Sequence, residues 1–199
     1  MKISCNDVDI QIASKVINDG AIAIFPTDTV YGLGCNPYNH DAVLSLYEIK
    51  KRKRTKHFPV IGYSKKELEK IAEFNPLEEK IAEKFWPGPI TLILKVKDEE
   101  IQKSLELEGK IALRVPNNQC ILALLKECKL LVGTSANISG TATFNDPKEC
   151  SENLSGYDLF MDGGIISSQG ESTIVEIENN DVKIIRKGNI SEEMINELN

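Results

Sequence analysis

Short apolar runs of strand character alternate with amphipathic helical patterns along all 199 residues, and no repeat, low-complexity tract or Pro/Gly/Ser linker separates them. Such a chain can bury its apolar faces only by layering helices on a sheet, which predicts one domain over residues 1–199. A helix over Asp7–Asn18 stops at Gly20, a C′ residue, and Ala21–Phe25 follows as a strand. A second helix over Asp41–Lys51 sets Val43, Leu44, Leu46 and Tyr47 on a shared face and leads into a strand at Phe58–Ile61. Ser64 with Glu67 signals a capping box, and Asn75-Pro76 opens a helix that must stop at Trp86-Pro87-Gly88-Pro89. Ile90–Val96, Ile111–Val115 and Leu130–Thr134 read as strands, and helices are predicted over Asn118–Lys126 and from Asp146-Pro147. Thr173–Ile177 and Val182–Arg186 flank Asn179-Asn180, a hairpin signal, before a last helix from Ser191. Crossovers together with a hairpin predict an α/β fold of three layers around a twisted mixed sheet.

Several chemistries are excluded early. Met1 to Asn6 runs into a polar helix pattern with no apolar stretch, so no secretory signal is read, and no apolar run is long enough to span a bilayer. The five cysteines, at 5, 35, 120, 128 and 150, form no Cys-x-x-Cys pair, so neither a disulfide framework nor a zinc site is signalled and a reducing cytoplasm is expected. His40 and His57 are the only imidazoles, and a histidine metal centre or a Ser-His-Asp triad would have to be built from these two in poor surroundings, so both are discounted.

Charge is unevenly spread. Net charge is −6, yet six of the seven residues from Lys50 to Lys56 are cationic. Removing those six from the 24 Lys and Arg leaves 18 against 30 Asp and Glu, so the rest of the chain stands at −12. A solvated loop would explain such a run; so would an anion site. An overall acidic chain argues against a general nucleic-acid surface.

Four polar clusters lie beside predicted strand ends, where open sheets hold ligands. They are Pro26-Thr27-Asp28-Thr29-Val30-Tyr31-Gly32-Leu33-Gly34, the basic run from Lys50, Gly133-Thr134-Ser135-Ala136-Asn137-Ile138-Ser139-Gly140, and Gly170-Glu171-Ser172-Thr173-Ile174-Val175 with Arg186 on the next strand. Hydroxyls and glycines let backbone and polar side chains approach a ligand, and lysine with arginine suits polyphosphate oxygens. Arg114 adds a cation at a strand end, a surface ion pair being the plain alternative. No Walker A loop and no Gly-x-Gly-x-x-Gly is present, so a nucleotide site would have to be of another kind.

In this order, with Pro87-Gly88-Pro89-Ile90-Thr91 and Lys50-x-Arg52 between them, the motifs resemble the YrdC family of threonylcarbamoyl-adenylate synthases over nearly the whole chain, in its short TsaC-type form without a further C-terminal domain. The resemblance implies a YrdC-like fold with a cationic cavity that holds ATP beside threonine. It implies Lys50, Arg52, Ser135 and Asn137 as catalytic; Thr29, Arg114, Ser135 and Ser172 at threonine; and Arg52, Lys56, Asn137, Asn145 and Arg186 at ATP. Arg114 is the natural partner for threonine's carboxylate, since its fork can bind two oxygens.

This chain departs from the family in three places. Lys50-Lys51-Arg52-Lys53 stands where Lys-Gly-Arg-Pro is common, and Thr143-Phe144-Asn145 where Ser-Pro-Thr is usual. Ile61 replaces a residue that is often polar, which leaves its backbone as the contact.

The implied reaction joins threonine's amine to bicarbonate, and the resulting N-carboxy oxygen attacks the α-phosphorus of ATP as pyrophosphate leaves. Magnesium is expected to arrive on the triphosphate. The implied partners are ATP, L-threonine, bicarbonate, the tRNA threonylcarbamoyl-transferase proteins that consume the adenylate, and tRNA or another RNA; no membrane is implied. Two rival readings are an RNA-binding or ribosome-maturation factor using the same cations, and a paralogue acting on another carbamoyl or acyl substrate.

Overall fold

A computed structural model of the chain describes residues 1–168, 170–178 and 181–198. In chain order its first half is β1 (Lys2–Ser4), α1 (Asp7–Asn18), β2 (Ala23–Phe25), β3 (Gly32–Gly34), α2 (His40–Lys50), β4 (Val60–Gly62), α3 (Lys65–Leu68), β5 (Ala72–Glu73), α4 (Pro76–Phe85) and β6 (Ile90–Val96). The second half is α5 (Glu99–Ser104), β7 (Lys110–Arg114), α6 (Gln119–Cys128), β8 (Leu130–Val132), β9 (Thr134–Ser135), α7 (Pro147–Asn153), β10 (Leu159–Asp162), β11 (Thr173–Glu178), β12 (Asp181–Arg186) and α8 (Glu192–Asn196).

Helix boundaries follow capping chemistry. Asn6 accepts from Asp9 N at the start of α1, Asn39 from Ala42 N at α2, and Asn118 from Cys120 N at α6, each satisfying a donor the first turn leaves open. Asn75 and Glu78 form a reciprocal capping box at α4, with Pro76 in its first turn. Ser64 caps α3 through Glu67 N. Gly20 ends α1 at φ +105, a conformation that costs a side-chain residue energy.

The strands form two ladders, ordered β1-β10-β2-β3-β9 and β12-β11-β6-β7-β4-β8, with β5 pairing antiparallel to β6. Both are mixed: β1, β10 and β2 run parallel while β2, β3 and β9 alternate, and β11/β6 and β4/β7 are parallel beside antiparallel partners. One segment joins them. Residues predicted as a single strand, Leu130–Thr134, instead break at Gly133, so that β8 pairs with β4 and β9 with β3. The junction is tight: Val132 N donates to Cys35 O at 2.9 Å, and a Cβ on Gly34 would sit 1.7 Å from the Val132 carbonyl oxygen. Only glycine permits that approach.

Alternate residues of the central strands face opposite cores, as a period of two requires. Ala23, Phe25, Ile61, Leu131, Leu159 and Met161 pack with Ile10, Ala13 and Ile17 of α1 and Ile121, Leu124 and Leu125 of α6. Ile24, Val60, Val132 and Phe160 face the other way, onto Ala42, Val43 and Leu46 of α2 and the larger core beyond. Helices, sheet and helices therefore make the three layers expected of the mixed α/β chain.

The sequence reading of the cysteines needs one correction. Cys5 and Cys120 are bonded across 115 residues of sequence, because the turn between β1 and α1 meets the first turn of α6 where the two helices pack. No local spacing could announce that pair. Cys35, Cys128 and Cys150 are free, each with its thiol pKa pushed up to about 12 by burial. The hairpin tip Asn179-Asn180 lies outside the described residues, although β11 and β12 on either side pair antiparallel.

Candidate active site

Strand ends of both ladders, the loop after α2 and the turn after β9 enclose a cavity of about 750 Å³. Its wall carries seven Lys and Arg side chains and, among the described residues, one carboxylate, that of Glu171. Phe25, Pro59, Ile61, Ile93, Ala112 and Ile174 supply apolar surface between the polar groups.

Lys50 ends α2 and is only 1% exposed. Its ammonium donates to Ser135 O at 2.5 Å, Asn137 O at 2.8 Å and Asn137 Oδ1 at 3.0 Å. Asn137 is equally engaged: Oδ1 also accepts from Ser135 Oγ at 2.7 Å, and Nδ2 donates to Thr141 O at 2.7 Å. Burial, with Arg52 nearby, pulls the Lys50 pKa down to about 8, and Glu171 opposes the shift. The sequence assigned Lys50 and Asn137 directly to chemistry. Their polar atoms bind each other and the turn between them, leaving the ammonium charge in the cavity wall and the loop of residues 135–141 fixed beside it.

Arg52 is half-buried. Nε donates to Lys56 O at 2.7 Å and a terminal nitrogen to His57 O at 3.0 Å, while the guanidinium lies 5.1 Å from the Phe58 ring centre. Burial lowers its pKa, and Arg186 lowers it further. Lys51, Lys53, Arg54 and Lys56 are exposed, and all but Arg54, which pairs with Glu106, line the cavity mouth.

Opposite stands Arg114 at the end of β7. Nε donates to Gly88 O at 3.0 Å, one terminal nitrogen to Thr29 Oγ1 at 3.1 Å and the other to Asp28 at 2.5 Å, with side chains 9% and 12% exposed across the ion pair. A guanidinium has five N–H groups, so two remain beyond these contacts. Asp28 pairs with Arg114 without itself lining the cavity. Burial lowers the Arg114 pKa while Asp28 raises it. Next in the wall, Ser172 Oγ lies 2.9 Å from Thr91 Oγ1 and accepts from Arg186 at 3.0 Å, and Arg186 also clasps Ser172 O through two nitrogens and pairs with Glu171 at 3.0 Å.

Nine of the ten residues singled out from sequence thus converge on one cavity: Thr29, Lys50, Arg52, Lys56, Arg114, Ser135, Asn137, Ser172 and Arg186. Asn145 does not line it. Its Nδ2 donates to Ser168 O at 2.9 Å, and its Oδ1 is buried without a partner among the described residues. Ile61 lines the wall through an apolar side chain. Sequence reasoning passed over Thr91 and Glu171, although both lie inside motifs it quoted; only the pairing of β6 with β11 brings Thr91 against Ser172. No free cysteine lines the cavity, His40 bonds Ser104 O elsewhere, and no group of three His, Cys, Asp or Glu gathers among the described residues.

Known proteins resemble this chain along most of its length. The Sua5/YciO/YrdC family model, described as "Telomere recombination", matches residues 15–188. The chain is 33% identical over 199 residues to the threonylcarbamoyl-AMP synthase of Bacillus subtilis, covering 98% of this chain and 57% of that protein. It is 36% identical over 180 residues to a putative threonylcarbamoyl-AMP synthase of Methanocaldococcus jannaschii, covering 90% of this chain and 85% of that one. The crystal structure of P. abyssi Sua5 complexed with L-threonine superposes with a TM-score of 0.90 at 29% identity, covering 100% of this chain and 60% of that chain.

Proposed function

The chain belongs to the Sua5/YciO/YrdC family, and from that premise we propose that it is an L-threonylcarbamoyladenylate synthase, forming threonylcarbamoyl-AMP and pyrophosphate from L-threonine, bicarbonate and ATP. The observation that carries this reading is the convergence of nine motif residues on a single cation-lined cavity. The L-threonine complexed with P. abyssi Sua5 supports the amino-acid half of it.

Threonine's ammonium group gives up a proton to solvent, and the free amine condenses with bicarbonate, releasing water and giving an N-carboxylate. One oxygen of that group attacks the α-phosphorus, and pyrophosphate leaves with the bonding electrons of the broken P–O bond. Negative charge accumulates on phosphoryl and carboxyl oxygens, which preorganised cations stabilise. Arg114 binds threonine's carboxylate through its two remaining N–H groups, with Thr29 and Ser172 beside it. Arg52, Lys56 and Arg186 face the phosphates, and Ser135 borders both substrates. Lys50 and Asn137 hold the turn and contribute fixed charge and dipole. Asn145 acts on the nucleotide only through the loop it ties to Ser168.

Magnesium carried on the triphosphate would neutralise phosphate charge. It would be held mostly by phosphate oxygens and water. The setting of this reading is the cytoplasm, with tRNA threonylcarbamoyl-transferase proteins consuming the adenylate. Among the described residues no helix is long and apolar enough to cross a membrane.

A second reading, RNA binding, draws on the exposed Lys51, Lys53 and Lys56 at the mouth. Incubation of the pure protein with ATP, threonine and bicarbonate, followed by mass spectrometry, should yield the adenylate without RNA. Its absence at any enzyme concentration would remove the proposal and leave the RNA reading.

A further inference from the structure

The cavity is built for anions, yet an amino acid enters it as a zwitterion. Arg114 can take the carboxylate, but the ammonium group has to be accommodated in a wall that carries seven cations. Desolvating a positive charge there without an acceptor is unfavourable. The hydroxyl bonded to Arg114, Thr29 Oγ1, already accepts from that cation and lies 3.0 Å from Thr27 Oγ1, and a neutral hydroxyl does not balance the charge of an ammonium group. Among the described residues, Glu171 is the one carboxylate in the wall.

Glu171 is held ready for such a role. Its carbonyl oxygen accepts from Asn189 N at 3.3 Å, and a Cβ on Gly188 would lie 2.4 Å from that oxygen, so the backbone is clamped. Its Oε1 pairs with Arg186 at 3.0 Å, and among the described residues Oε2 has no partner. Both side chains are 37% exposed, so the pair opens to the cavity and contributes little to folding. Glu171 directly precedes Ser172, whose hydroxyl lies 2.9 Å from Thr91 Oγ1 and accepts from Arg186, the partner of Glu171, in the same cavity wall as Arg114. One short segment therefore places an acceptor for an ammonium group in the same wall as the donor for a carboxylate.

We propose that Glu171 is the specificity residue for the substrate's α-amino group, binding the ammonium through Oε2 while Arg186 holds the carboxylate in place. This rests on the proposed function, since it presumes that an amino acid occupies the Arg114 side of the cavity. The residue makes the site select amino acids over hydroxy acids of the same shape, which have a carboxylate and a side-chain hydroxyl but nothing for Glu171 to bind.

The test is calorimetric titration of the full chain and of Glu171→Gln with L-threonine and with 2,3-dihydroxybutanoate of matching configuration. Wild type should prefer threonine by roughly 10- to 100-fold, the range of a hydrogen bond between charged groups, and Glu171→Gln should reduce that preference to within about 3-fold. ATP affinity should be no weaker, because Arg186 keeps its contacts with Ser172. An unchanged preference in Glu171→Gln, or equal loss of both ligands, overturns the assignment and leaves the proposed function standing. A raised magnesium requirement with the preference intact would also overturn it, in favour of a metal contact. Failure of the wild type to bind threonine at all would overturn both readings.

Discussion

The inner wall of the cavity and its rim carry the same kind of charge in opposite surroundings. On the inner wall Lys50 and Arg114 are buried, and each makes three hydrogen bonds to oxygens brought from distant parts of the sequence. On the rim, Lys51, Lys53 and Lys56 are exposed and stand in water. A buried cation survives its desolvation only if its donors are satisfied, so it is fixed in place and acts on a ligand through a preorganised field. A rim cation keeps its hydration, is screened by salt, and can be replaced by its neighbours. The six cations of the basic run are therefore not six versions of one residue.

The largest expected effect comes from the wall. Lys50→Met removes the charge and one donor each from Ser135 O, Asn137 O and Asn137 Oδ1, of which Ser135 O keeps Asn137 N and Asn137 Oδ1 keeps Ser135 Oγ. It should destabilise the fold by at least about 3 kcal/mol in denaturant titration and slow adenylate formation by about 1000-fold. A stable Lys50→Met with near-normal rate would erase the distinction between wall and rim. Arg52 lies between the two regions, half-buried but facing the mouth. Arg52→Ala should slow the reaction by about 100-fold, and the loss of its bonds to Lys56 O and His57 O should cost about 1–2 kcal/mol.

Titration separates wall from rim without mutating the rim. The Lys50 pKa is lowered from 10.5 to about 8, so above pH 8 the folded chain loses this proton before the unfolded chain does. Through this group stability therefore rises with pH between about 8 and 10.5, while activity falls as charge leaves the wall. The rate of the wild type should fall about tenfold per pH unit above 8 without a matching fall in thermal midpoint. Lys50→Arg should move that limb upward, and comparing the two profiles cancels the titration of threonine itself. The smallest effect belongs to the rim: Lys53→Ala should change the rate by less than about 3-fold. Equal losses at Arg52 and Lys53 would instead indicate a diffuse electrostatic surface and support RNA binding.

What was legible in the sequence follows the same division between local and non-local causes. Asn6, Asn39, Asn75 and Asn118 start helices through contacts two or three residues away, and these helices are found close to where the pattern set them. β10 escaped notice because Leu159–Asp162 is a four-residue run whose ladder partners, β1 and β2, lie far earlier in the chain. β1 and β5, of three and two residues, are too short to show a period, and α5 is a six-residue helix with two buried positions, Ile101 and Ser104. The motifs named the site residues, but not which way they face. The motif placed Lys50 in the cavity, where it lies, but not the bonds by which the register of α2 against the turn after β9 ties its ammonium to Ser135 and Asn137. Glu171, inside a motif, drew no attention because its significance depends on being the sole carboxylate, among the described residues, in a wall assembled from distant segments.

The central claim is that this wall organises one reaction of three small molecules, and pyrophosphate release tests it most directly. Release should require ATP, threonine and bicarbonate together and proceed without RNA, and carbon-13 bicarbonate should raise the adenylate mass by about one unit. Pyrophosphate release that depends on tRNA, or that continues undiminished after carbon dioxide and bicarbonate are rigorously removed, would contradict the account.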